Sequence, residues 1–173
     1  MNSGFRMLIN NITQDIIDEY KINIPINNIE DVVRQLGGNV EESSNVSFAA
    51  DGSVIKRGDS FSIVVSPFQS EERKKFTIAH ELGHLFLHMG YQINEELWNE
   101  QENLTYYRSG ESAVEYQANE FAAALLMPQK KYKEIMDRYT EGNIVYTGKV
   151  AEYFGVSVSA ASNRGKFLGY LKW

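Results

Sequence analysis

Residues 76–88 read FTIAHELGHLFLH, and everything else in this chain is best read outward from them. The stretch is apolar on nearly every side, which predicts a helix buried in a domain centre rather than a surface helix with one apolar stripe. Within it, His80 and His84 stand four residues apart. Helical geometry puts such a pair on one face, about 6 Å apart along the axis, so both imidazoles can reach one metal ion. Glu81 follows the first histidine, where a carboxylate can hold and deprotonate a water on that metal. Two imidazoles and an acid are costly to bury unless something satisfies them, and a divalent cation does so. Upstream, Ser70 is placed to cap the helix, and Glu71 and Glu72 fall in a first turn where the dipole favours anions.

Downstream, residues 111–127 (ESAVEYQANEFAAALLM) form a second strongly helical segment, closed by Pro128. Glu115 lies 31 residues after His84, enough for one helix to end and a second to return antiparallel. It shares a face with Asn119 and Ala122, with Ala118 beside them, and small residues there let two helix backbones approach closely. Glu115 is therefore the candidate third ligand. Glu111, one turn earlier, competes with it, whereas Glu120 falls about 140° round the helix. Tyr116, Phe121 and Leu125 are expected in the core. His88, eight residues from His80, is about 12 Å along the axis and too far to share the metal. Its readings are a donor to a ligand, a cleft-lining residue, or a helix-end residue before Gly90. Asn119 is placed to orient a ligand. Tyr106, Tyr107, Arg108 and His88 are candidate donors to a developing oxyanion; paired aromatics closing a loop is the plainer reading of the tyrosines.

Taken together, FTIAHELGHLFLH and EYQANEFAAALLMP resemble the ImmA/IrrE family of zinc metallo-endopeptidases, associated with cleavage or control of helix-turn-helix repressors. The resemblance is close over about 30 residues and looser over most of the rest. It implies one Zn2+ ion bound by His80, His84 and Glu115, with Glu81 as catalytic base. It also implies a protein substrate, a helix-turn-helix repressor or another transcription regulator. The expected fold is α+β and zincin-like: mostly helical, with a small antiparallel sheet of about three strands before the H-E-x-x-H helix. A small C-terminal helical module completes it.

The flanking sequence fits that outline. Met7 to Tyr20 shows helical spacing, and Asn27 or Asn28 is placed to cap a short helix ending at Gly37-Gly38. Residues 39–66 change period: Val46 and Phe48, Val54, and Phe61, Ile63 and Val65 read as short strands punctuated by Asp51-Gly52 and Arg57-Gly58-Asp59. An extended peptide could pair with residues 60–66 beside the metal. Residues 90–110, with Glu95, Glu96, Glu100 and Glu102, read as a solvated loop or a lid over the cleft. Residues 147–158 read as a short helix, a Gly turn and a second start at Ser157, the spacing of a helix-turn-helix. The expected division is a peptidase domain over 1–141 and a helix-turn-helix-like appendage over 142–173, packed on it.

Charge follows that division. Residues 142–173 hold four Lys/Arg against one acid, a charge of +3 in a chain of formal charge −6, so the remainder carries −9. DNA binding is then an alternative only through 142–173, with Arg164 and Lys166 as its phosphate contacts, and net acidity opposes it. With no cysteine and three histidines, a structural Cys₄ or Cys₂His₂ zinc site is excluded. Lack of cysteine, of an apolar leader and of any membrane-length apolar run leads to the expectation of a cytoplasmic protein. Two functional alternatives to the peptidase stand beside it. One is a zinc-containing binding module that sequesters a repressor; the other is a DNA-binding regulator whose metal is structural.

Overall fold

The computed structural model describes residues 3–44, 51–101 and 112–173. The chain opens with α1 (Ser3–Glu19), whose Ile9, Ile16 and Ile17 turn inward. Next comes α2 (Ile29–Gln35), where the Asn28 side chain accepts from the Glu30 N–H. Three strands follow: β1 (Asn39–Glu42), β2 (Gly52–Arg57) and β3 (Ser60–Val65). Their spatial order is β1-β3-β2. β2 pairs antiparallel with β3, as its hairpin turn dictates, but β1 runs parallel to β3, with Asn39 opposite Ser62. The sheet is therefore mixed, not wholly antiparallel as expected. β1 reads Asn-Val-Glu-Glu and is largely exposed, so it carries little alternation to announce a strand; pairing with β3 creates it. The strand expected around Val46 and Phe48 lies outside the described residues.

The long helix is α3 (Glu71–Leu87), and Ser70 caps it by accepting from the Arg73 N–H. Part of the expected loop beyond it is helical: α4 (Glu95–Glu100) is capped by Asn94 and anchored by buried Trp98. Then come α5 (Ser112–Leu126), α6 (Gln129–Arg138) and a minimal hairpin of β4 (Thr140–Glu141) and β5 (Ile144–Val145). The chain closes with α7 (Thr147–Phe154) and α8 (Val158–Phe167). These two have the helix-turn-helix spacing read from sequence: Gly155 turns left-handed at φ 61° and Ser157 caps α8.

α3 and α5 form the central pair, with the sheet on one side of α3 and α1 across α5. Their approach depends on Gly83. A Cβ there would fall 2.9 Å from Ala118 Cα and 3.1 Å from Phe121 Cβ. Beside it Phe86 of α3 stacks on Phe121 of α5, with 5.7 Å between ring centroids. Among the described residues no helix is long and apolar enough to cross a membrane.

Candidate metal centre

Four-residue spacing on α3 brings the Nε2 atoms of His80 and His84 to 3.0 Å from each other, both rings being buried. From the first turn of α5, Glu115 reaches across the seam. Its Oε2 lies 3.3 Å from His80 Nε2 and its Oε1 3.4 Å from His84 Nε2. A tetrahedral cation bound at about 2.0–2.1 Å separates its nitrogen and oxygen ligands by about 3.3 Å. Glu115 thus offers one oxygen to each imidazole at about that edge length, and His80, His84 and Glu115 could hold one small divalent cation. Two imidazoles and one carboxylate make a donor set that suits zinc. Among the described residues the group has three protein donors, the number found in catalytic zinc sites.

Each ring is also held from behind. Asn119 Oδ1 lies 2.9 Å from His80 Nδ1; if that amide oxygen accepts, Nδ1 carries the hydrogen and Nε2 presents its lone pair to Glu115 and His84. His84 Nδ1 contacts His88 Nδ1 at 3.0 Å, and His88 Nε2 contacts Gln117 Oε1 at 2.9 Å. Burial holds the His88 imidazole below its ordinary value of 6.5, against opposite pulls from the Gln117 oxygen and Glu115. His88 also ends α3, donating its backbone N–H to the His84 carbonyl.

Glu81 is 1% exposed on the turn of α3 that meets the sheet. A Cβ on Gly52, at the start of β2, would sit 2.7 Å from Thr77 Cγ2 and 3.3 Å from Glu81 Cγ. The lack of a side chain there lets β2 lie directly against that turn. Among the described residues β2 pairs only with β3. Pairing of a peptide with residues 60–66 is overturned, because β3 is the middle strand with both edges taken.

The structure thus brings His80, His84 and Glu115 together, sets Glu81 next to them, and places Asn119 and His88 against the two rings. Tyr106, Tyr107, Arg108 and Glu111 lie outside the described residues. Glu120 points away from the centre, to Arg6, Asn10 and Arg164. Tyr116, expected in the core with Phe121 and Leu125, is 60% exposed, since it sits where the first turn of α5 leaves the seam. It borders an open cleft of about 880 Å³ that runs past Asn119 between α3, α5 and α8, over Phe76, Met127 and Phe167. Arg164, weighed above as a phosphate contact, is buried: it donates to Glu120, Asn10 and the Met127 carbonyl. Sequence reasoning passed over Gln117 and Gly52. Gln117, two residues from Glu115, shows no helical spacing to the ligands. Gly52 read only as part of a turn.

An H-E-x-x-H helix joined to a carboxylate from a second helix, in an α+β fold, defines a metallopeptidase-type domain. The chain belongs to the peptidase family M78, whose IrrE N-terminal-like domain matches residues 34–166. No curated protein matches the chain in sequence. Among solved structures, a Mycobacterium tuberculosis transcriptional regulator resembles it with a TM-score of 0.59 at 17% identity. The likeness, one of fold, covers 90% of this chain and 45% of that one, so this chain corresponds to under half of the regulator's length.

Proposed function

We propose that the chain is a zinc-dependent endopeptidase hydrolysing a peptide bond in a protein substrate, a helix-turn-helix repressor or related transcription regulator. The observation that carries this reading is the cluster of two Nε2 atoms 3.0 Å apart with a Glu115 oxygen 3.3 Å from one and 3.4 Å from the other, and buried Glu81 one residue from His80. His80, His84 and Glu115 would hold the zinc, which would supply the Lewis acidity that acidifies a water and polarises the scissile carbonyl. Glu81 accepts the proton of the attacking water on a carboxylate oxygen and returns it to the leaving amide nitrogen, so the acid is regenerated each turnover. Asn119 keeps the hydrogen of His80 on Nδ1. Among the described residues the side of β2 away from β3 carries no strand, and pairing of an extended substrate there is part of this reading. The repressor as substrate rests on the family resemblance. Residues 1–141 serve as the peptidase domain and 142–173 as an appendage packed on it, held through Arg164.

The test is direct. Zinc-loaded protein, mixed with the product of an adjacent repressor-like gene if there is one, is expected to cut it into two fragments. Glu81→Gln is expected to keep its zinc while cleavage falls by about two to four orders of magnitude. Wild-type cleavage by that variant overturns the role given to Glu81, and failure of the zinc-loaded wild-type protein to cut counts against the enzyme reading. Full biological effect from a variant unable to cut would point instead to sequestration of the repressor.

A further inference from the structure

We infer that His88 and Gln117 form a two-link hydrogen-bond relay that sets the tautomer of His84, making both of them positioning residues for the metal centre. The inference rests on His84 being a ligand, as proposed above, and adds how its lone pair is aimed. An imidazole offers Nε2 to a metal only when its hydrogen sits on Nδ1, and that Nδ1–H needs an acceptor. His84 is 1% exposed, so its acceptor is internal. His80 meets the same need in one step, against an amide oxygen 2.9 Å away on Asn119. His84 faces another ring nitrogen instead, His88 Nδ1 at 3.0 Å.

Two ring nitrogens alone leave the direction of that bond undecided, because either can donate. The far side of His88 decides it. His88 Nε2 lies 2.9 Å from Gln117 Oε1, and a carbonyl oxygen only accepts. The hydrogen of His88 therefore sits on Nε2, and its Nδ1 lone pair receives the Nδ1–H of His84. Reversing the relay would place the His84 hydrogen on Nε2, 3.0 Å from His80 Nε2, where it would block the donor triangle. A single helix supplies both controls: α5 carries Asn119 for His80 and Gln117 for His84, on either side of Ala118 where it meets Gly83. Glu115, on the same helix, is thereby locked in register with the groups that prepare its partner ligands.

Three histidines in the whole chain make the relay directly measurable. In metal-free protein labelled with ¹⁵N-histidine, long-range ¹H–¹⁵N correlation is expected to show hydrogen on Nδ1 of His80 and His84 and on Nε2 of His88. His88→Leu and Gln117→Leu are each expected to move His84 towards the Nε2–H form. Zinc affinity, measured against a competing chelator, is expected to fall about 10- to 100-fold in His88→Leu. His88→Asn, whose Oδ1 can accept where Nδ1 did, is expected to restore both the tautomer and the affinity. The inference is overturned by Nε2–H His84 in the wild-type protein, or by wild-type zinc affinity in folded His88→Leu. It is equally overturned if His88→Asn is as impaired as His88→Leu, which would mean that packing alone was lost. Failure of the wild-type protein to bind zinc would sink the proposed function, while the tautomer measurement would still decide the relay.

Discussion

Gly83 lies between the two histidines, and its missing side chain is what lets α5 come near enough for Glu115 to reach them. The atoms a Cβ would strike include the Cα and carbonyl oxygen of Ala118, 2.9 and 3.0 Å away, and backbone cannot step aside as a flexible side chain can. Gly83→Ala gains up to about 1 kcal/mol of helix propensity. Overpacking the seam costs about 1–3 kcal/mol, so with that gain taken in full a net destabilisation of up to about 2 kcal/mol is expected by chemical denaturation. Zinc affinity is expected to fall with it, because the helix that moves is the one carrying Glu115. Unchanged stability and affinity would show that the seam is looser than its contacts. At this scale the cluster was legible: His80, His84 and Glu115, which lie together and could hold a cation, were picked out by helical spacing. Glu120 was set aside for its angle, and it does face elsewhere.

Helices and their caps were the elements best marked in the sequence. Ser70, Asn28 and Ser157 each accept from a first-turn N–H, as oxygen side chains before an apolar run should. The strands were less legible, and β1 least, since its order and direction come from a neighbour rather than from its own residues. The junction of α6 with α8 is a further contact between elements that no local pattern records. There Tyr132 is buried and its hydroxyl donates to the Ala161 carbonyl at 2.7 Å. Burial pushes its pKa up to about 12, with Arg164 and a Gly165 backbone hydrogen bond pulling the other way. The neutral phenol is thus favoured in the folded state. Its contribution is fully present below the unfolded value of 10.0 and is lost as pH rises from there towards 12. Tyr132→Phe is expected to cost about 1 kcal/mol at neutral pH, from the lost hydrogen bond. It is also expected to flatten the alkaline decline in unfolding free energy between pH 10 and 12. An equally steep decline in both proteins would refute that assignment.

Across the whole molecule, one buried cluster ties distant parts of the chain together. Arg164 of α8 donates to Glu120 of α5 at 2.9 Å and to Asn10 of α1 at 2.7 Å, and its Nε donates to the Met127 carbonyl. Arg6 pairs with the other oxygen of Glu120 at 3.2 Å. Removing one partner of such a pair leaves a charge in the interior, so Arg164→Ala is expected to cost about 3–5 kcal/mol in a denaturant titration. Adding Glu120→Ala is expected to cost less than the two single losses summed. Loss of DNA retention with stability unchanged would contradict this role and return Arg164 to the surface reading.

The division between what the chain spells out and what folding decides follows from the range of each signal. Helical period, capping residues and turn glycines act within a few residues. The sequence alone therefore determined the long buried helix with its two imidazoles and carboxylate, the returning helix with its acid, and the paired C-terminal helices. Only the tertiary structure decided the parallel pairing of β1, the central place of β3, the exposure of Tyr116, the burial of Arg164 and the link from Gln117 to His88. Those depend on which surfaces meet across separations of 29 residues for Gln117 and His88, and 154 for Asn10 and Arg164. Contacts at such range leave no spacing in the chain, because their geometry exists only once the helices have packed.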